Sequence, residues 1–205
     1  MSARMRGIVL ASASPRRRAL LASLGLHFTI IPSSVEETFE GDPATMVVVN
    51  ARAKRDDVAG RLESPALVIA ADTLVFLGDH VLGKPADSDE ARQMLERLSG
   101  NTHQVVTGLA AVDTSTGRAA EGYESTDVTF RELSGREIER FIHTVNPIDR
   151  AGAYTVDGPG TLLVARYDGC YQNVLGLPMV RLDEVLRRIG FNLFEMMDAS
   201  RCAFL

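Results

Sequence analysis

The sequence predicts a mixed α/β (α+β) domain, and two observations carry that prediction. Short apolar runs alternate along most of the 205-residue chain with segments that begin at helix-capping residues and end near glycine. Two long β-type stretches, residues 103–113 and 118–133, follow one another in the middle of the chain and are joined by the turn-rich sequence TSTG. Interleaved helices and strands with such an antiparallel pair are typical of a central mixed sheet with flanking helices.

Apolar and β-branched residues place the strands, and capping residues place the helices. Besides the two long stretches, strands are predicted at residues 8–11, 28–31, 67–71 and 161–166, with a hairpin made of residues 74–77 and 81–82. Helices are predicted at residues 15–24, 43–59, 88–99, 135–141 and 178–189. Since no internal repeat or long linker divides the chain, we expect one domain over residues 7–190, a flexible segment 1–6 and a peripheral tail 191–205 of unknown role.

The helix starts carry recognisable signals. Ser14 precedes Pro15, which suits the first helical position, and Gly25 follows the helix. Capping-box spacing recurs at two further helix starts, Asp87 with Glu90 and Ser134 with Glu137.

Composition excludes several classes of function. Hydrophobic residues make up 45% of the chain and charged residues 24%, as in a globular protein with a full core. The net charge of −5 argues against general binding to nucleic acid or to a membrane surface, because both need a basic excess. The longest apolar stretch, residues 66–78, is too short to cross a bilayer. Cys170 and Cys202 lack the spacing of a zinc site or a disulfide framework, which fits a reducing cytoplasm.

The N-terminus also resembles a signal peptide in part, with two arginines, an apolar run and the sequence ASA at residues 11–13. The apolar run spans only about four residues, against roughly 7–15 in signal peptides. Three arginines then follow the supposed cleavage site. We therefore expect a cytoplasmic protein.

The sequence SASPRRR, residues 12–18, puts three arginines in the first turn of a predicted helix, where the helix dipole favours acidic residues. A strand, a small-residue turn and a helix N-terminus together offer free backbone N–H groups to an anion. Ser12 and Ser14 add hydroxyls, and Arg16 and Arg17 add guanidinium groups that match phosphate geometry. The alternative is a surface helix whose arginines point to solvent, and the residue types alone do not separate the two.

Carboxylates and lysines elsewhere complete a set of candidates. Asp72 follows the buried run VIAA, and ligands bind at strand ends in α/β sheets. In that position Asp72 could hold a metal ion or take a proton from water. It could also simply form a turn. Glu36 and Glu37 could help bind Mg²⁺ or form a solvated acidic loop. Lys54 and Lys84 could contact phosphate, although lysines are normally surface residues.

These stretches occur in an order that resembles the Maf family of nucleoside triphosphate pyrophosphatases, also called septum-formation inhibitors. The resemblance covers roughly residues 7–190. Each matching piece alone is weak evidence for the family, whereas the whole set in this order is specific for it. The matching pieces are LASASPRR (10–17), EE (36–37), Lys54, ADT (71–73), GKP (83–85), LSG (98–100), DRAGAY (149–154) and VLGLP (174–178).

The resemblance implies an elongated fold like that of the inosine triphosphate pyrophosphatases, with a cleft between two lobes. It implies hydrolysis of a nucleoside triphosphate between its α- and β-phosphates, with Mg²⁺ or Mn²⁺ as the cofactor. Asp72 matches the family's catalytic carboxylate, the proton acceptor, and Glu37 matches an acidic position that would bind the metal with Asp72. The positions that match phosphate contacts are Ser12, Arg16, Arg17, Lys54 and Lys84.

Three positions bear on the choice of nucleotide. One subgroup of the family, which resembles dTTP/UTP pyrophosphatases, has Arg, Thr and Gln there, and another, which prefers 7-methyl-GTP, has Trp, Gln and Glu. This chain has Arg16, Thr73 and Asp157. The first two fit the dTTP/UTP pattern, but Asp157 fits neither pattern. Its carboxylate only accepts hydrogen bonds, whereas the amide of Gln also donates them, and it is one methylene shorter than Glu, to which it is chemically closer. We predict dTTP or UTP as the substrate, with 7-methyl-GTP or another modified nucleotide as the alternative.

Other classes of function fit the same residues. A nucleotide-binding regulator could use the pocket to signal to the cell-division machinery, and a phosphatase could release single phosphates. The presence of Asp72, Glu37 and Lys84 together favours pyrophosphatase catalysis, because a pure sensor needs no water-activating carboxylate. The resemblance also implies a homodimer, and we expect neither nucleic acid nor a membrane as a partner.

Overall fold

A computed structural model describes residues 7–203, so the predicted flexible segment 1–6 lies outside the described residues. The strands are β1 (Gly7–Leu10), β2 (Phe28–Ile30), β3 (Ala66–Leu77), β4 (His80–Leu82), β5 (Thr102–Asp113), β6 (Arg118–Phe130) and β7 (Val164–Asp168). The helices are α1 (Pro15–Ser23), α2 (Pro43–Gly60), α3 (Ser88–Leu98), α4 (Gly135–Val145), α5 (Tyr171–Val174), α6 (Met179–Arg187) and α7 (Leu193–Met196). None of these helices combines the length and the apolar character needed to span a membrane.

The seven strands form one sheet in the order β2-β1-β3-β5-β6-β7, with β4 paired to β3. Strand β1 runs parallel to both β2 and β3, whereas the β3–β4 and β6–β7 pairs are antiparallel. The sheet is therefore mixed, and the predicted mixed α/β class with flanking helices is confirmed.

Several predicted boundaries are wrong. Strand β3 does not end at Asp72 but continues through it to Leu77, because the buried carboxylate finds partners on a helix that is distant in sequence. Strand β7 begins at Val164 rather than residue 161, since residues 158–162 form a 3₁₀ helix. Helix α4 continues beyond Phe141 to Val145, and the short helices α5 and α7 were not predicted.

The described chain divides into two compact units. The first contains the residues up to Asp72, Thr107–Glu124 and the residues from Gly176 onwards. The second contains Thr73–Val106 and Ser125–Leu175. Strands β3, β5 and β6 contribute residues to both. The single domain expected over residues 7–190 stays a prediction.

Helix α2 packs on the sheet of the first unit with its backbone in direct contact with β5. Asp42 caps the helix by accepting hydrogen bonds from the N–H groups of Ala44 and Thr45, at 3.1 Å each. At Gly108 there is no room for a side chain, because a Cβ atom would lie 2.2 Å from the carbonyl oxygen of Val47. This close approach fixes the distance from α2 to the strand.

The C-terminal tail is packed against the end of α1. The N–H of Asp198 donates to the carbonyl of Leu24 at 3.3 Å, and the N–H of Ala203 donates to the carbonyl of Ser23 at 3.0 Å. Gly25 adopts a φ of +73°, and a Cβ there would lie 2.4 Å from the Asp198 carbonyl oxygen. Residues 198–203 are thus tied to the helix end by their backbone, and the peripheral tail of unknown role expected over residues 191–205 stays a prediction.

A buried aromatic cluster stabilises the core of the second unit. The rings of His103, Phe130 and Tyr154 meet edge to face with centroids 4.9–5.3 Å apart. His103 Nε2 and the Tyr154 hydroxyl share a hydrogen bond of 2.7 Å. Burial lowers the pKa of His103 from 6.5 to about 4 and raises the pKa of Tyr154 far above its ordinary value. Both groups are therefore neutral at physiological pH.

We expect the free energy of unfolding to decrease as the pH falls from 6.5 towards 4. Folded His103 stays neutral in this range, while the unfolded chain takes up the proton, so acid favours the unfolded state. Across this pH range, proton uptake by His103 in the unfolded chain should lower the free energy of unfolding by up to about 3 kcal/mol. Urea unfolding at several pH values between about 7 and 4 measures how the free energy of unfolding changes with pH.

The matched control is His103→Gln, which offers the Tyr154 hydroxyl a hydrogen-bond partner that does not titrate. Its stability should depend less on pH than that of the wild type over the same range. Equal slopes for the two proteins would contradict the assignment to His103.

Candidate active site

The N-terminus of α1 forms the first part of the site. Ser14 caps the helix and accepts a hydrogen bond from the N–H of Arg17 at 3.4 Å, and Pro15 occupies the first turn. The Ser12 hydroxyl oxygen accepts from the N–H of Ser14 at 3.2 Å, which holds the turn between β1 and the helix. The predicted helix start is confirmed, and its first-turn N–H groups and dipole suit an anion.

The three arginines of this turn have different surroundings. Arg17 donates from Nε to the carbonyl oxygen of Gly176 at 2.8 Å and from Nη1 to the Ser12 hydroxyl at 3.1 Å. Burial lowers the pKa of the Arg17 guanidinium, and the negative charges of Asp72 and Glu37 oppose that change. Arg16 is half-buried and Arg18 is exposed. Arg17 is therefore the arginine that the fold holds in the field of the two carboxylates.

Asp72 provides the central carboxylate. It lies in β3 with 2% of the residue exposed. One carboxylate oxygen, Oδ1, accepts a hydrogen bond from Lys54 Nζ at 2.6 Å, and the other, Oδ2, accepts from Asn50 Nδ2 at 3.0 Å. Both partners come from α2, four residues apart on the same face. A buried charge is tolerated only with such pairing, so α2 makes the position of Asp72 possible.

Lys54 also connects Asp72 to Glu37. Its ammonium lies 2.6 Å from Glu37 Oε1 as well as 2.6 Å from Asp72 Oδ1, and 14% of its side chain is exposed. The three residues form a row of alternating charge. The structure thus brings together Ser12, Arg17, Glu37, Lys54 and Asp72 from the predicted set, all within the first unit.

Sequence reasoning missed Asn50, which contacts both Asp72 and the loop that carries Glu37. Its Oδ1 accepts from the N–H of Thr38 at 2.8 Å, and its Nδ2 donates to the Thr38 carbonyl at 3.0 Å. A signal was present, because Asn50 interrupts the apolar run MVVV on a helix face shared with Lys54. A polar residue in such a position needs partners.

The donor chemistry around Lys54 suits a divalent cation. Glu37 and Asp72 point oxygen atoms at the same ammonium group, and carboxylate oxygens are the ligands that Mg²⁺ and Mn²⁺ prefer. Within residues 7–203, no group of three or more His, Cys, Asp or Glu side chains could hold a metal ion. The described protein therefore offers two carboxylates, and Mg²⁺ typically completes its coordination with water and substrate phosphates.

Three further predicted residues, Thr73, Lys84 and Asp157, belong to the second unit. Thr73 is half-buried in β3, and Lys84 is exposed after the β3–β4 hairpin. The neighbouring Gly83 carbonyl accepts a hydrogen bond from the N–H of Gly152 at 2.9 Å, so the GKP and DRAGAY stretches adjoin. Asp157 is exposed, and its carboxylate accepts from the Thr155 hydroxyl. The roles of Thr73, Lys84 and Asp157 stay predictions.

The model of the Maf-like protein family matches residues 7–189 of the chain. The chain belongs to the Maf family. The ordered stretches and the paired carboxylates thus lie within a domain that covers nearly all of the described structure.

Two relatives are similar to this chain over almost their whole length. A dTTP/UTP pyrophosphatase of Pelotomaculum thermopropionicum is 48% identical over 190 residues, covering 92% of this chain and 99% of the relative. The dTTP/UTP pyrophosphatase of Moorella thermoacetica is 47% identical, covering 93% and 98%. A solved structure of a nucleoside-triphosphatase / dITP/XTP pyrophosphatase from Mycobacterium abscessus aligns with a TM-score of 0.37 at 15% identity, covering 62% of this chain and 75% of that chain.

We expect Arg17→Ala to lower the stability and the pyrophosphate affinity of the protein much more than Arg18→Ala does. Loss of the Arg17 guanidinium leaves the Gly176 carbonyl and the Ser12 hydroxyl without this donor, which costs about 1–3 kcal/mol of unfolding free energy. Removal of the exposed Arg18 should change it by less than about 0.5 kcal/mol. Urea unfolding measures both, and calorimetric titration with inorganic pyrophosphate measures anion binding.

Arg17→Lys is the informative control, because it keeps the charge and loses the planar fork. It should bind pyrophosphate more weakly than the wild type. Equal effects of the Arg17 and Arg18 substitutions on stability and on anion affinity would refute this distinction.

Proposed function

We propose that this Maf protein hydrolyses nucleoside triphosphates, dTTP and UTP above all, to the nucleoside monophosphate and pyrophosphate. The observation that carries the proposal is the buried Asp72 carboxylate, bridged to Glu37 by Lys54 and lying in the field of Arg17. A carboxylate beside cations supports the proposal, because a proton acceptor in a polyphosphate site needs such neighbours. Relatives named dTTP/UTP pyrophosphatase that are 44–48% identical over nearly the full chain support the same reaction.

Different residues of the chain have different roles in the proposed reaction. The N-terminus of α1, with Ser12, Ser14, Arg16 and Arg17, binds and orients the triphosphate. Asp72 accepts a proton from the water that adds to the α-phosphorus. As that bond forms, the bond from the α-phosphorus to the oxygen bridging the α- and β-phosphates breaks, and pyrophosphate leaves.

Cations counter the charge that develops in this step. The ammonium of Lys54 lies beside Asp72, and the resemblance assigns Lys84 to the phosphates as well. Glu37 and Asp72 would hold Mg²⁺ or Mn²⁺, which neutralises phosphate charge when bound. Because Lys54 already contacts both carboxylates, its ammonium must give up at least part of that contact when a cation takes its place.

The preference for dTTP and UTP rests on Arg16 and Thr73, which match the pattern of that subgroup. Asp157 departs from this pattern. Its carboxylate is engaged by the Thr155 hydroxyl and can only accept hydrogen bonds from a base. That acceptor chemistry favours 7-methyl-GTP or another modified nucleotide as the second candidate substrate.

We place the protein in the cytoplasm as a homodimer that removes non-standard or excess nucleotides. Cys170 and Cys202 are both free thiols, as the reducing compartment requires. The dimer rests on the resemblance.

A substrate panel tests the reaction. Wild-type protein with Mg²⁺ or Mn²⁺ should release pyrophosphate from dTTP and UTP faster than from CTP, GTP or 7-methyl-GTP. Asp72→Asn should lower turnover by about 10²–10⁴-fold, because the proton acceptor is lost, and should leave much of the nucleotide affinity. Pyrophosphate release and calorimetric nucleotide binding measure the two effects.

The products separate the alternatives. Single phosphates in place of pyrophosphate would identify a phosphatase. Nucleotide binding without release of either product would identify a regulator. Equal loss of binding and turnover in Asp72→Asn would assign Asp72 a structural or purely metal-anchoring role.

Asp157→Gln tests the specificity of the nucleotide site. An amide restores the group found in the dTTP/UTP subgroup and can both donate to and accept from a pyrimidine edge. We expect kcat/KM for UTP relative to 7-methyl-GTP to rise on the order of tenfold, about 1.4 kcal/mol. An unchanged ratio in competition assays with both nucleotides would show that Asp157 does not contact the base.

A further inference from the structure

We propose that Asn50 is a positioning residue that fixes the orientation of the Asp72 carboxylate and ties it to the loop carrying Glu37. The inference rests on the proposed function, in which Asp72 accepts the proton from water. No motif that pointed to the active site includes Asn50, and its role follows from its contacts alone.

The first contact controls rotation of the carboxylate. Lys54 holds Oδ1 of Asp72, and Asn50 holds Oδ2. An ammonium group on a flexible side chain sets a distance but leaves the plane of the carboxylate free to turn. A second donor on the other oxygen removes that freedom. Because Asn50 and Lys54 project from the same face of α2, the carboxylate plane is set by a helix.

The second contact anchors the loop. The side-chain amide of Asn50 pairs with both backbone groups of Thr38, at 2.8 Å to the N–H and 3.0 Å to the carbonyl, as a neighbouring strand would. Thr38 follows Glu37 directly, so the anchor lies one residue from the second carboxylate. Asn50 and Lys54 together therefore hold Asp72 through two hydrogen bonds and residues 37–38 through three.

The chemistry of the position is specific to asparagine. Both Nδ2 protons and the Oδ1 oxygen are used, with 2% of the residue exposed. Aspartate could not donate to Asp72 or to the Thr38 carbonyl and would add a like charge; a leucine of similar size could make none of the three bonds. Asparagine is also a poor helix former, which leaves the hydrogen bonds as its reason to occupy the middle of α2.

The experiment compares Asn50→Leu and Asn50→Ser with Val58→Ala. Val58 is buried on the same helix, packs in the core of the first unit and has no polar side-chain atom that could bond Asp72 or residues 37–38, so its truncation controls for lost stability. All proteins are assayed at a temperature where urea unfolding shows them folded. The readouts are kcat and KM for UTP, the Kd of a non-hydrolysable UTP analogue, and the Kd of Mn²⁺ without nucleotide.

We expect both Asn50 variants to lose about 10–100-fold in kcat, as is typical when a residue supporting a reacting group is removed. The Kd of the analogue should change by less than about threefold, because the inferred role of Asn50 acts on Asp72 and the loop and not on the nucleotide. Mn²⁺ should bind more weakly, since Glu37 and Asp72 lose their common support. Val58→Ala should be less stable and keep its kcat.

Two results would overturn the inference. One is a kcat for the Asn50 variants equal to that of Val58→Ala at full folding, which would make Asn50 a structural residue only. The other is a loss of analogue affinity as large as the loss of kcat, which would make it part of the nucleotide site. A wild type without turnover on any substrate is a different failure, that of the proposed function itself.

Discussion

The carboxylate of Asp72 lies in the middle of β3 with only 2% of the residue exposed, and the arrangement of the first unit accommodates that charge. An unpaired carboxylate in this place would cost several kcal/mol of desolvation. Lys54 supplies the opposite charge, and Asn50 supplies the second hydrogen bond. Both depend on α2 standing at the right distance from the sheet, and that distance is set where the helix backbone meets Gly108.

The same arrangement bears on how an acidic protein would hold the polyanion that we propose as its substrate. The net charge is −5, yet Arg17 and Lys54 are kept near Asp72 by bonds to the fold and not by long-range attraction alone. Arg17 is tied to the Gly176 carbonyl and to Ser12, so little reorganisation is needed when a ligand arrives. Fixed dipoles and charges of this kind are the usual source of transition-state stabilisation.

Local signals predicted local structure well. The caps at Ser14 and Ser134 are present as expected, because a hydroxyl next to its own helix needs no distant partner. Asp72 misled the prediction of a strand end, since a charge in an apolar run suggests a boundary unless its partners are known. Those partners, Asn50 and Lys54, lie about twenty residues earlier in the chain, and short-range patterns carry no information on such pairing.

The contact of α2 with Gly108 has a consequence for how this protein can vary. Helix and strand touch there through main-chain atoms, with no layer of side chains between them. Side-chain layers can be repacked when residues are exchanged, whereas two backbones in contact leave nothing to adjust. Sequence drift elsewhere on α2 can therefore change its outer surface freely. The distance between β3 and the polar groups of α2 should therefore stay the same in every variant that keeps glycine at position 108.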